Sequence, residues 1–294
     1  MNNFYYEYYK DIKKLKKNTL RDKVRFLALD GFSLINKLKD TEQFLNKPRV
    51  QFIYIHHVFK DEEKHLHKLL EFLLKNHTFI GYNEAVEKII NNQIDKPYIS
   101  FSTDDGFKNN LSAAGILNSY QAKACFFINP LIIGETNRDI IQTHCRSKLN
   151  FPPIEFLNWD EVNQIQKLGH EIGSHTMNHM KISEMEFNEV INDLGESFDI
   201  INKRCGKVLH FAYPYGRYFH FNEKVKNACF DVGYKTCASA ERGCHINSNR
   251  NQKNEDLFIR RDHVILDWKL DHIKHFLINN SKNANPINNF SPYK

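Results

Sequence analysis

The chain has 294 residues, 41% of them hydrophobic and 26% charged, an ordinary globular composition with room for one large α/β barrel or two average domains. Its 41 basic against 35 acidic residues leave a formal net charge of +6, modest for this length and dense only in "KDIKKLKK" near the start, which argues against a nucleic-acid partner. Six dispersed cysteines without a CxxC pair, no apolar leader and no apolar run of ~18 residues set the expectation of a reduced, cytoplasmic chain that does not span a membrane.

Residues 1–48 read as a helical extension. Phe4, Tyr5, Tyr8, Tyr9, Ile12 and Leu15 recur at helical spacing, with Lys10, Lys13, Lys14 and Lys17 between them. This pattern fits a helix docked on the main domain. The alternative is a basic amphipathic helix making peripheral contact with an anionic membrane. From Val50 a strand-then-helix rhythm begins. "VQFIYIHH" is a strand, "DEEKHLHKLLEFLLKN" a helix, and "PYISFSTDD" the next strand. A helix over 110–120, the strand "KACFFIN" and the helix "WDEVNQIQKLG" lead into "HEIGSH". A long helix over 183–204 precedes "VLHFAYPYG", and a helix over 222–232 precedes the strand "YKTCAS". The strand "LFIRRDHVIL" and a helix over 270–279 follow. Alternating strands and helices imply parallel pairing, and this many units implies a closed or nearly closed barrel, with an open doubly wound sheet as the other solution. The expected organisation is an extension over 1–48, a barrel over 49–280 and a polar tail over 281–294.

In such a barrel, functional groups sit at the C-terminal ends of strands. Asp104 and Asp105 end one strand, His56 and His57 another, and His175 and His179 follow a third. Tyr213-Pro214-Tyr215-Gly216 ends a fourth, and Arg260-Arg261 lie in the last. The i, i+4 spacing of His175 and His179 places two imidazoles on one side of a helical turn, where they can share an ion. In a chain with 15 histidines that pair alone says little. With a carboxylate added, it becomes a His-His-carboxylate set suited to Zn²⁺, with Co²⁺ or Ni²⁺ as alternatives. One aspartate of the doublet then binds the ion and the other accepts a proton from water. The competing use of the doublet is to cap the helix near Asn109.

Three segments in order, "STDDGF", "GHEIGSHTMNH" and "FAYPYG", resemble the polysaccharide deacetylases of the NodB-homology type, carbohydrate esterase family 4. The resemblance runs from about Gln51 to Leu277. It implies a distorted (β/α)7-type barrel and metal-dependent removal of an N-acetyl group from an amino sugar. It further implies Asp104 as general base, Asp105, His175 and His179 as metal ligands, and the Tyr215 backbone N–H as oxyanion donor.

Two departures from the family pattern stand out. Ala212 occupies the place of the arginine that orients the base, and Arg261, or else Arg260, is the substitute expected to reach in. No late Leu-x-His motif supplies the general acid. The early "FIYIHHV" is similar instead to members with a circularly permuted barrel, which makes His56 the expected acid, with His57 and His263 as alternatives. The expected partner is an N-acetylated saccharide, nucleotide- or lipid-linked, in surface-polysaccharide assembly. Rival readings are another amide or ester substrate (O-acetyl, N-formyl or a non-sugar amide) and a non-catalytic sugar-binding relative.

Overall fold

The computed structural model describes residues 4–15, 19–248 and 257–286. Its framework is a set of short strands with near-continuous burial, as parallel strands covered on both faces require. β1 (Arg49–Ile55), β3 (Pro97–Thr103) and β4 (Ala124–Ile128) are buried at every position except the first of β3. They join β2 (Thr78–Phe79), β5 (Glu171–Ser174), β6 (His210–Ala212), β7 (Thr236–Ala238), β8 (Phe258–Ile259) and β9 (Arg261–His263) in one sheet. The order is β8-β7-β6-β5-β4-β3-β1-β9, with β2 beside β3, and every ladder between these strands is parallel.

The last segment closes the sheet. β8 and β9 are two halves of the expected single strand, broken at Arg260. Phe258 and Ile259 pair with β7, whereas Arg261 to His263 pair with β1. One stretch of chain therefore bridges the first strand and the seventh, and the sheet curls into a nearly closed barrel. This is the barrel architecture that the strand–helix rhythm predicts, and it rules out the open doubly wound sheet.

Helices α3 (Glu63–Leu73), α5 (Asn110–Ser119), α7 (Trp159–Lys167), α8 (Phe187–Cys205), α9 (Glu223–Val232) and α10 (Leu270–Lys282) surround it. α8 begins later than its apolar spacing predicts. Residues 182–184 form a 3-10 turn, and Glu186 with Glu189 builds a capping box that sets the start. α10 runs three residues past Asn279 into the predicted tail, of which residues 287–294 lie outside the described residues. Two helices fall in stretches to which the sequence pattern assigned no element: α4 (Tyr82–Ile90) and α6 (Arg138–Ser147). The fully buried Tyr82 ring lies 4.8 Å from Phe52 and 5.5 Å from Phe127, so α4 helps fill the barrel interior.

In the N-terminal extension, α1 (Tyr9–Leu15) is shorter than the aromatic spacing from Phe4 suggests. It docks by burying Tyr9 and Ile12 among Phe59, Phe107, Ile132 and Ile141. Asp61 accepts from the backbone N–H groups of Tyr9 and Lys10 at the start of α1. α2 (Leu20–Leu38) packs on α10, where Ser33 donates to the Asp271 carbonyl and Asp30 pairs with Lys269 and His272.

At the start of β1 a guanidinium is fully buried. Arg49 donates to the Leu45 carbonyl, to Gln51 and to Nε2 of His77, the last at 2.8 Å. His77 donates from Nδ1 to the Leu73 carbonyl, which leaves Nε2 as the acceptor. Burial and the adjacent Arg49 hold the His77 imidazole at about 4. The unfolded chain takes up this proton near the ordinary value of ~6.5 and the folded one does not, so stability is full above that pH and falls as pH drops toward 4. Urea denaturation at pH 7 and pH 4.5 should show the wild type losing about 2–3 kcal/mol more than His77→Gln over this interval. Parallel losses in the two proteins would refute a neutral buried His77.

Candidate active site

The aspartate doublet ends β3 on a sharp reversal. Asp105 and Gly106 both adopt left-handed backbone, with φ of 74° and 72°. Glycine suits the left-handed backbone at 106, where a Cβ would also lie 2.9 Å from Cδ1 of Ile133 and displace it. The reversal sends the two carboxylates to different partners.

Asp104 meets Arg261. The guanidinium grips both carboxylate oxygens, Nη1 to Oδ1 at 2.7 Å and Nη2 to Oδ2 at 2.9 Å. It is fixed in turn by the Ser239 carbonyl and Ser102, and lies 4.4 Å over the Tyr54 ring. Both side chains are buried. Burial opposes ionisation of Asp104, but the Arg261 charge and His175 outweigh it and hold the carboxyl below its usual range. Arg260 points elsewhere, over the Tyr218 ring.

Asp105 faces two imidazoles. Its Oδ1 lies 3.5 Å from Nε2 of His175 and 3.4 Å from Nε2 of His179. The two histidines do not share a helical turn, as their spacing predicts. Thr176 and His179 are left-handed, with φ of 66° and 48°, and a non-helical turn brings the rings to 5.1 Å. Asn129 holds that turn by donating to the carbonyls of His175 and Thr176. Asp193 accepts from the Met177 N–H. No motif marks Asn129 or Asp193, and only the fold brings them to the turn.

The ligand atoms of Asp105, His175 and His179 lie within 4.8 Å of one another. His175 donates from Nδ1 to the Ala212 carbonyl at 2.6 Å, which turns the Nε2 lone pair toward Asp105. Asp105 Oδ1 is buried without a hydrogen-bond partner. Converging lone pairs around an orphaned carboxylate oxygen call for a positive charge, and one oxygen with two imidazole nitrogens suits a divalent ion such as zinc. Burial opposes ionisation of Asp105, but the adjacent His175 and His179 outweigh it and hold the carboxyl low. Burial depresses His179 to about 3. The helix-capping alternative is not used: no side-chain capping bond is made at Asn109, whose Oδ1 accepts instead from the Val58 N–H.

The other candidates surround a cavity of about 260 Å³ that reaches this cluster. His56 hydrogen-bonds through Nδ1 to Nε2 of His263 at 3.1 Å, and burial lowers its pKa against the pull of Asp105 and Asp104. His57 is turned to Glu62, Nδ1 to Oε2 at 2.9 Å, and stacks between Tyr9 and Phe151. Tyr215 sits at φ 63°, strained for a tyrosine, with its ring 5.1 Å from His179 and its hydroxyl donating to the Lys148 carbonyl. Tyr9, Lys148 and Phe151 complete the walls. The sequence pattern did not assign these three to the site, because they come from the extension and from the loop after α6.

A parallel barrel with a carboxylate–histidine–histidine cluster at the C-terminal ends of its strands is a β/α-barrel protein with a metal-type site. The model of the family "Polysaccharide deacetylase" matches residues 91–237, half of the sequence, and the chain belongs to that family. A peptidoglycan-N-acetylglucosamine deacetylase of Bacillus cereus is 35% identical over 75 residues, which is 26% of this chain and 34% of that protein. The chain thus matches about a third of the length of that relative. Among solved structures, the Streptococcus pyogenes deacetylase PplD in complex with acetate has a TM-score of 0.61 at 16% identity, covering 79% of this chain and 98% of that one. IcaB from Ammonifex degensii has a TM-score of 0.59 at 14% identity, with the same coverage of 79% and 98%. These two share the fold.

Removing one partner of the Arg261–Asp104 pair strands a buried charge. Arg261→Met should cost about 3–5 kcal/mol in chemical denaturation, and the same change in an Asp104→Asn background less than half of that. Equal losses in both backgrounds would mean that Arg261 acts through its other contacts.

Proposed function

We propose that this protein is a metal-dependent hydrolase that removes an N-acetyl group from an amino sugar in a surface-polysaccharide or glycan precursor. The observation that carries this reading is the orphaned Asp105 oxygen facing two histidines, beside an Asp104 held ionised by Arg261. Family membership supports the same chemistry.

Asp105, His175 and His179 would hold the ion. When bound, a divalent cation, zinc by the donor set or else cobalt or nickel, supplies Lewis acidity toward the amide carbonyl and lowers the pKa of water. Asp104 is the general base. The fork of Arg261 orients both its oxygens and keeps it ready to accept the proton of the attacking water. The backbone N–H of Tyr215, on a turn beside His179, donates to the developing oxyanion, a contact whose loss typically costs ~10²–10³ in rate. His56, with Nδ1 engaged by His263, has Nε2 left to protonate the departing nitrogen. The C–N bond breaks, and acetate and a free amino sugar leave. Arg261 is a positioning residue, and His57, committed to Glu62, shapes the wall.

In this reading the barrel over 49–280 is the catalytic unit and the extension over 1–48 contributes Tyr9 to its mouth. A cytoplasmic setting is supported by six free cysteines, five of them buried. No helix among the described residues is long and apolar enough to cross a membrane. For peripheral membrane contact, support comes from α2 rather than α1, whose apolar residues Tyr9 and Ile12 are spent on docking. Leu20, Val24, Leu27, Leu34 and Leu38 form one stripe of α2, each more than half exposed, bordered by Arg21, Lys23 and Lys39.

Acetate release from a panel of N-acetyl sugars, before and after chelation and with zinc, cobalt or nickel restored, tests the reading. Activity should vanish on chelation and return with metal, and Asp104→Asn should lose about 10²–10⁴-fold in kcat. A chelated protein at full rate, or an Asp104→Asn variant equal to wild type, would overturn it.

A further inference from the structure

A second, larger cavity of about 1220 Å³ adjoins the catalytic one, between the N-terminal extension, the loop after α6 and the loop after β9. Tyr9, Phe151 and Ile265 line both, so a molecule whose reacting end occupies the smaller cavity has the larger one as its neighbouring space. The lining is unlike that of the catalytic cavity. It carries five basic side chains against two acidic ones. Both acids are already engaged: Asp22 caps α2 with Thr19, and Asp267 pairs with Lys13. Lys14 is likewise paired, with Asp11.

Three cations remain. Among the described residues, Lys10, Arg25 and Arg146 have no carboxylate in ion-pair range. Arg25 instead lies over the Trp268 ring at 5.3 Å, and Lys10 over Tyr8 at 4.8 Å. Exposed guanidinium and ammonium groups without a carboxylate partner, around a roomy cleft, favour an anion with several acceptor oxygens, and Arg above all favours phosphate. A neutral glycan strand would leave them unused.

We propose that the amino sugar reaches this site attached through a phosphate or diphosphate, with the phosphoryl group held by Lys10, Arg25 and Arg146. The rest of the carrier, a nucleoside or a polyprenyl chain, then extends past Trp268. This rests on the deacetylase reading for its reacting end and adds the class of substrate. The extension explains itself on the same grounds, since α1 and α2 supply two of the three cations.

Two measurements on the full chain test it. The first compares kcat/KM for one N-acetyl sugar presented as a uridine-diphosphate sugar, as a short-chain prenyl-diphosphate sugar and as a neutral oligomer. At least one phosphoryl-linked form should be favoured by about 10–100-fold over the oligomer, the value of one or two charge-assisted hydrogen bonds. In Arg25→Glu/Arg146→Glu that ratio should fall below about threefold, and because it is taken within one protein it is insensitive to partial misfolding. Which phosphoryl-linked form wins identifies the carrier. The second is calorimetric binding of inorganic pyrophosphate, expected to weaken at least tenfold in the double variant and to persist in Asp104→Asn. If no sugar is deacetylated but pyrophosphate still binds in this charge-dependent way, the catalytic reading fails and the anion cleft stands. An oligomer that serves as well as both phosphoryl-linked forms, or pyrophosphate binding indifferent to the charge reversal, would overturn the proposal.

Discussion

Two carboxylates on consecutive residues, buried at the end of a strand, must each find a positive partner. Burying such charges unpaired costs several kcal/mol apiece, and much of the molecule is arranged to avoid that. Asp104 is met by Arg261, which arrives from the far end of the sequence because β9 pairs with β1. Asp105 faces His175 and His179, on a turn that follows β5, with Oδ1 left without a hydrogen bond. Closing the barrel and neutralising Asp104 are therefore one event. The segment that bridges β7 to β1 is the segment that delivers the guanidinium.

The same geometry gives two adjacent aspartates different surroundings. The left-handed pair Asp105-Gly106 turns one carboxylate toward the imidazoles and leaves its neighbour to the arginine fork. Asp104 lies against a fixed cation and Asp105 against two imidazoles, and one turn of backbone provides both surroundings. The left-handed residues at 176, 179 and 215 show the same economy: strain at the rim of the barrel gathers the rings of His175, His179 and Tyr215.

The N-terminal extension changes what the barrel presents. Tyr9 stacks on His57 and forms part of the catalytic wall, while the basic residues of α1 and α2 line the adjoining cleft. A barrel alone offers a short groove around its metal-type cluster. With the extension in place, the groove continues into a basic space of about 1220 Å³, next to a helix whose outer face is apolar.

The barrel, most of its helices and the doublet with its histidines were legible from local pattern. Buried parallel strands write continuous apolar runs, as in "ISFST" and "ACFFI", and Asp-Asp-Gly at a strand end is costly without a reason. The sequence by itself determined which residue types gather at the strand ends. Tertiary structure alone decided that Arg261 rather than Arg260 faces Asp104, that a left-handed turn and not a helix joins His175 to His179, and that Tyr9, Asn129 and Phe151 belong to the site. The physical reason is range: side-chain periodicity records what each element buries, whereas contacts between residues more than a hundred positions apart depend on how a closed sheet brings its first and last strands together.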